Sequence, residues 1–247
     1  MGEWLEAKVT EKIRWSERLF SLRFEAALPA FRAGQFVRVG LDVDGERLAR
    51  PYSLVNAPGE TPHEIYFNVV PEGPLSPRLA QLEAGDALYV HSSVTGTMTL
   101  ERTPDHRHLW LFATGTALGP FLSMLKTDAP WERAERVVLC HSVRTAAELA
   151  YGDVVRELLH RHGPRLTFVP LVTREVVAGA LHERIPAALD AGDIERLAGL
   201  RLCPEDAHVM LCGNSEMIET TRQWLESRGL RRHRRREPGH ITLEKYH

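Results

Sequence analysis

The 247 residues carry a net charge of −2, with 43% apolar and 26% charged residues, which is the balance of a globular chain and gives no global pointer to nucleic acid. No apolar run approaches the roughly 18 residues of a membrane span and no charged-then-apolar leader opens the chain, so a cytoplasmic protein without membrane contact is expected. Cys140, Cys203 and Cys212 are odd in number, far apart and without a CxxC pair, which argues against a disulfide framework and against zinc or iron–sulfur sites; no metal is expected.

Along the first hundred residues apolar and polar positions alternate with period two. Phe20, Leu22 and Phe24 form one such run, Val37, Val39, Leu41 and Val43 a second, Ile65, Phe67 and Val69 a third, and Ala87 to Val90 a short fourth. Glycine and proline separate them at 33–34, 57–59, 72–74 and 84–86, the pattern of an antiparallel barrel, with one short helix expected over Ser76 to Leu82. A polar link at Glu101–Asp105 ends this region. Beyond it, continuous apolar strands at 109–113, 137–140, 166–169 and 209–212 alternate with helical stretches at 121–125, 154–159 and 216–228, which predicts a parallel sheet covered on both faces. Gly239 to Leu243 reads as a further strand. The expected organisation is two domains, residues 1–103 and 104–247: an antiparallel Greek-key β-barrel followed by a Rossmann-like α/β domain.

Several motifs sit where ligands are held. Arg50-Pro51-Tyr52-Ser53 places a guanidinium, an aromatic ring and a hydroxyl on one strand, the groups that grip a diphosphate, stack on a planar ring and reach its polar edge, as a flavin dinucleotide requires. The alternative for four residues is an ordinary barrel strand. Gly73-Pro74-Leu75-Ser76 leads into the short helix, so Ser76 is either an N-cap or part of a phosphate cradle. Thr114-Gly115-Thr116-Ala117-Leu118-Gly119 joins a strand to a helix without the GxGxxG spacing; it is a tight turn, or a turn that lets a nucleotide approach the backbone. Arg144, Arg174 and Arg184 lie after predicted parallel strands or in the segment beyond, where an arginine suits the 2′-phosphate of NADP, although Glu175 beside Arg174 weighs against it and surface arginines are common. Cys212-Gly213-Asn214 ends the last strong strand; Cys212 is a small buried hydrophobe or a wall of a nicotinamide pocket.

Taken in order, Arg-Pro-Tyr-Ser, Gly-Pro-Leu-Ser, Ala113–Pro120, Cys-Gly-Asn and the closing Glu244-Lys245-Tyr246-His247 resemble the ferredoxin–NADP(+) reductase family, nearest to its short bacterial ferredoxin/flavodoxin branch, over essentially the whole chain. The resemblance implies non-covalent FAD held by Arg50, Pro51, Tyr52, Ser53, Tyr66, Phe67, Asn68, Val69, Pro74, Leu75, Ser76, Thr116, Tyr246 and His247. It implies NADP(H) held by Thr114, Gly115, Val143, Arg144, Thr173, Arg174, Arg184 and Asn214, and Ser53, Cys212, Glu244 and Tyr246 around the reacting centre. Tyr246 would cover one flavin face and Tyr52 the other. Relatives can end in Trp where this chain has His247, a departure that bears on the adenine contact. The implied activity is reversible transfer of hydride from NADPH to flavin and of single electrons to ferredoxin or flavodoxin by a monomer. Arg231, Arg232, Arg234, Arg235 and Arg236 would then steer an acidic, transient partner rather than a nucleic acid. The rivals are a free-flavin reductase or oxygenase reductase component, and a non-catalytic flavin-binding regulatory protein.

Overall fold

The computed structural model describes residues 2–246. The alternating segments form six strands: β1 (Trp4–Arg14), β2 (Leu19–Glu25), β3 (Phe36–Val43), β4 (Glu46–Ser53), β5 (His63–Asn68) and β6 (Ala87–His91). Their order is β4-β3-β6-β1-β2-β5, every neighbouring pair antiparallel, so the chain leaves β5 at one edge and returns as β6 to the middle. That return is a Greek-key connection. A bridge between Leu54, just past β4, and Ile65 of β5 joins the two outer strands and closes the barrel. Inward residues of each strand, among them Leu22, Phe24, Val37, Val39, Ile65, Leu88 and Val90, fill it without solvent exposure. The helix expected at 76–82 is a single turn, α1 (Ser76–Leu79).

The later apolar runs form β7 (His108–Thr114), β8 (Arg136–Val143), β9 (Leu166–Val172), β10 (Ala207–Gly213) and β11 (Ile241–Lys245), a parallel sheet in the order β11-β10-β7-β8-β9. All seven residues of β10 are buried, as a central strand covered on both faces requires. Helices α2 (Leu118–Leu125), α3 (Ala129–Arg133), α4 (Gly152–His162), α5 (Ile185–Asp190), α6 (Asp193–Ala198) and α7 (Ser215–Ser227) connect the strands. Ile185, Leu189, Ile194, Ile218 and Leu225 from α5, α6 and α7 pack with Trp110, Phe112, Val138, Val209 and Leu211 into one core.

Two compact units result. One comprises residues 1–99 with 119–127, the other 100–118 with the residues from 128 onward. Most of α2 therefore belongs with the barrel, to which it is tied by polar bonds: Ser123 Oγ donates to the Asn56 carbonyl at 2.8 Å and Lys126 Nζ to the Val55 carbonyl at 3.3 Å. Among the described residues no helix is long and apolar enough to cross a membrane.

Candidate functional site

In the first unit, β4 carries the Arg-Pro-Tyr-Ser segment along the outer edge of the strand order, where the missing N–H of Pro51 breaks no ladder the barrel needs. Side chains two apart share a face. Exposed Arg50 and half-buried Tyr52 therefore lie together, with Ser53 turned into the protein. Arg50 Nη1 donates to the Ala49 carbonyl at 2.8 Å. The Tyr52 ring meets Phe67 edge to face, with centroids 5.9 Å apart, and burial pushes its hydroxyl up to about 12 against the pull of Arg50, so the phenol stays neutral. Phe67 stacks on Phe20 in the barrel core, and Tyr66 beside it is buried; Asn68 is exposed and Val69 is tied by its N–H to the Arg18 carbonyl at 2.7 Å.

The loop from Val70 to Ser76 closes on itself. Ser76 Oγ accepts from the Val70 N–H at 2.9 Å, and the Gly73 N–H reaches the Val70 carbonyl at 2.8 Å. Ser76 is thus not the N-cap of α1; Leu75 holds that place with no side-chain cap bond, and the serine hydroxyl is spent on tying the loop. Pro74 is exposed and Leu75 buried in the barrel core.

In the second unit the carboxyl ends of β7, β10 and β11 meet in one bonded cluster. Thr114 Oγ1 accepts from the Asn214 N–H at 3.1 Å and from Asn214 Nδ2 at 3.2 Å. Asn214 in turn caps α7, its Oδ1 accepting from the Met217 N–H at 2.9 Å. Both glycines here are required for different reasons. Gly213 has φ of +146° and a Cβ would fall 2.0 Å from Thr114 Oγ1; Gly115 has φ of +54° and a Cβ would meet nothing. Space excludes a side chain at 213, backbone conformation disfavours one at 115, and the space beside Gly115 is open to a ligand.

β11 brings the tail to the same edge. Glu244 pairs in register with Cys212, and the Tyr246 N–H donates to the Gly213 carbonyl at 2.8 Å. The Tyr246 side chain exerts a small downward pull on the Cys212 thiol. Burial first, and the Glu244 carboxylate second, hold the Cys212 thiol well above its ordinary pKa, and burial raises Glu244 to about 7. Cys212 is therefore a protonated, apolar wall, and Glu244 a carboxyl poised to hold or give a proton near neutrality.

At the ends of β8 and β9, Thr173 donates to the Val143 carbonyl from both its N–H, at 3.0 Å, and its Oγ1, at 3.2 Å, and the Arg174 N–H donates to the Arg144 carbonyl at 2.9 Å. The backbone thus brings exposed Arg144 and Arg174 side by side. Glu175 does not face them freely, because its carboxylate accepts the Ala146 N–H, as Glu148 accepts the Arg144 N–H at 2.9 Å. Arg184 stands apart from this bonded pair, preceding α5 in an exposed ion pair with Glu216 at 2.9 Å.

The profile of an oxidoreductase FAD-binding domain matches residues 5–98, and that of an oxidoreductase NAD-binding domain matches residues 111–223. A flavodoxin/ferredoxin–NADP reductase of Escherichia coli (strain K12) is 44% identical over 247 residues, covering all of both chains. A ferredoxin–NADP reductase of Pseudomonas aeruginosa is 37% identical, covering 94% of this chain and 93% of that one. The crystal structure of a ferredoxin NADP+ reductase from Neisseria gonorrhoeae with bound FAD and NADP superposes with a TM-score of 0.93 at 32% identity, covering 98% of each. The chain belongs to the ferredoxin/flavodoxin–NADP reductase family.

The residues present fit the groups this reductase family uses. Arg50 beside a neutral, half-buried Tyr52 offers a cation and a ring face, and the space beside Gly115 is unfilled. His247 lies outside the described residues. The arginine run forms a tight turn in which the N–H and carbonyl of Arg234 and Glu237 bond each other, with Arg231, Arg232, Arg234, Arg235 and Arg236 all exposed. Arg232 forms a parallel bridge to Ile241, the first residue of β11. Sequence reading missed His141 of β8, buried among apolar neighbours, whose Nε2 lies 2.9 Å from the Gly115 carbonyl. Nothing in a lone histidine within an apolar strand announced that bond.

Proposed function

We propose that the protein is an FAD-dependent, reversible NADPH oxidoreductase serving ferredoxin or flavodoxin. The observation that carries this reading is identity of 44% along the whole of a flavodoxin/ferredoxin–NADP reductase. Bound FAD supplies the chemistry that links the two-electron donor NADPH to one-electron protein acceptors. The protein's own contribution is binding, orientation and proton balance.

In this reading residues 1–103 hold FAD and residues 104–247 hold NADP(H). Arg50 and the bonded loop ending at Ser76 take the flavin diphosphate, Tyr52 lies against the ring, and Tyr66, Phe67, Asn68 and Val69 line its approach. Thr114, Gly115 and Asn214 receive the nicotinamide end, and Thr116 counts among the flavin contacts. Val143 and Thr173 position Arg144 and Arg174, which read the 2′-phosphate with Arg184. Ser53 and Glu244 hold or move a proton, Cys212 walls the nicotinamide pocket, and Tyr246 yields its place when the nicotinamide enters. Near-attack alignment of this kind contributes on the order of 7–11 kcal/mol to a barrier reduction. The protein acts in the cytoplasm as a monomer, with an acidic, transient partner.

The visible spectrum of the purified protein, followed anaerobically during titration with NADPH and then NADH, tests this directly. A flavin spectrum bleached by NADPH at far lower concentration than by NADH is expected. A protein that takes up no FAD overturns the reading, and equal response to both nucleotides removes Arg144, Arg174 and Arg184 as phosphate readers.

A further inference from the structure

We propose that His141 is a positioning residue of the nucleotide site, its imidazole setting the Thr114–Ala117 turn through the Gly115 carbonyl and so fixing where the nicotinamide end of NADP(H) is received. The inference rests on the reading of that turn as the nicotinamide receptor.

The geometry begins with strand register. His141 of β8 lies opposite Ala113 of β7, so its side chain starts beside the last residues of β7 and reaches the first carbonyl beyond the strand. A carbonyl oxygen only accepts, and the ring nitrogen 2.9 Å away is therefore the one that carries hydrogen. The tautomer is Nε2–H. Nδ1 is then a bare acceptor; it is buried and has no hydrogen-bond partner among the described residues. A second proton would create a donor with no acceptor, in a side chain 1% exposed. Its register partners Ala113 of β7 and Pro170 of β9, and the bonded Gly115, carry no charge to favour an imidazolium. The ring remains neutral at working pH, consistent with burial lowering it to about 4.

The turn needs such an anchor. Gly115 sits at φ of +54° with open space around its Cβ position, and glycine populates both signs of φ with little preference. No side chain of its own holds the peptide. Its carbonyl also accepts the Leu118 N–H that starts α2, so one oxygen receives the strand-side imidazole and the helix-side amide together. Releasing the imidazole leaves the orientation of the Gly115–Thr116 peptide to the helix alone. A histidine that merely filled core volume would be replaced by an apolar ring without consequence for one end of a dinucleotide.

The test compares the FAD-loaded protein with His141→Phe, which fills the space without donating, and His141→Gln, which keeps an N–H donor. Calorimetric titration with NADP+ and with 2′,5′-ADP, which lacks the nicotinamide, separates the two ends of the ligand. For His141→Phe, NADP+ affinity is expected to fall about tenfold, the worth of one hydrogen bond near 1.4 kcal/mol, with 2′,5′-ADP affinity unchanged. His141→Gln is expected to recover most of the loss. Unchanged NADP+ affinity in His141→Phe, or equal loss for both ligands, overturns the proposal. Gly115→Val separates the underlying reading: if it leaves NADP+ affinity intact the turn is not the nicotinamide receptor, whereas loss there with none in His141→Phe defeats only the histidine. Nitrogen-15 spectra of the unmodified protein give a readout independent of variants. The Nε2–H pattern should persist from pH 8 to pH 5, and an imidazole that titrates in that window refutes the anchor.

Discussion

Glu244 and Cys212 show how one register pair prepares a site. Both are removed from bulk water, but with opposite consequences for chemistry. The thiol is locked in its protonated form, while the carboxyl titrates near pH 7, inside the working range. Activity with a protein acceptor should therefore inflect near pH 7, and Glu244→Gln should flatten that limb, which a pH series of kcat/KM will show. The same shift carries a stability sign. Folding raises the Glu244 pKa from its ordinary 4.5 to about 7, so its contribution is present below pH 4.5 and lost as pH rises through 7. Glu244→Gln should accordingly be more stable than the parent at pH 8, by on the order of 1–3 kcal/mol, with little difference at pH 4.5, measurable by urea unfolding. For the arginines, Arg144→Ala or Arg174→Ala should raise KM for NADPH tenfold or more, at about 1.5–3 kcal/mol per charge-assisted bond, and leave NADH unaffected. An equal change with both nucleotides would assign these residues elsewhere.

Among the elements, β11 decides how the tail is used. As an outer strand of the sheet, it is held to β10 by five residues of ladder and to the 231–233 segment by a bridge at Ile241, and its amino end rests on a cluster of histidines. His208 of β10 lies near His106 and His233, with ring centroids at 5.5 and 6.0 Å, and its Nε2 is 3.0 Å from Thr242 Oγ1 of β11. Burial, reinforced by His106, His233, His240 and Arg133, pushes it down to about 3. His141 is lowered to about 4 by burial. For a histidine depressed on folding, stability is intact above the unfolded value near 6.5 and is lost as pH falls through it. At pH 5 each of the two costs about 2 kcal/mol, a large share of a typical 5–15 kcal/mol. Unfolding free energy should therefore drop between pH 7 and pH 5, partly offset by Glu244, and His208→Gln should reduce the drop by about 2 kcal/mol. A pH-independent urea midpoint would contradict this. The 70–76 loop depends on one hydroxyl in the same way: Ser76→Ala leaves the Val70 N–H without its acceptor and should cost about 1 kcal/mol, with weakened FAD retention on dialysis.

The whole molecule distributes charge unevenly. The exposed arginines at 231–236 concentrate positive charge in one short segment, which is anchored by a parallel bridge of Arg232 to Ile241. Exposed charges are felt over a Debye length of about 8 Å at physiological salt. Charges so placed steer an approaching partner. Neutralising Arg234, Arg235 and Arg236 to serine should lower the association rate with an acidic partner several-fold at low salt and change little at high salt, as stopped-flow mixing will report. Rates that respond equally at every ionic strength would mean direct contact.

Much of this molecule was legible from residue pattern. Period-two alternation located β2, β3, β5 and β6, continuous apolar runs located β7 to β10, and Gly239–Leu243 announced β11, because in each case burial of one or both faces imposes the pattern. β1 was not singled out. Its sequence, WLEAKVTEKIR, is mostly polar, and only Ala7 and Val9 are buried, although it sits between β6 and β2 in the sheet. The short helices α3, α5 and α6 were missed as well, since five or six residues hold too few turns to show a period. The motif residues, their order and the family they resemble are properties of the chain read as a string. Their assembly is not. Thr114 and Asn214 are 100 residues apart and meet because β7 and β10 are neighbours; Arg144 and Arg174 meet because β8 and β9 align; Glu175 is turned onto Ala146 rather than toward a phosphate; and His141 finds Gly115 through register alone. Local sequence encodes propensity and burial, which are short-range, whereas a site is made by hydrogen bonds between strands distant in the chain, and only the folded sheet order decides which ends come together.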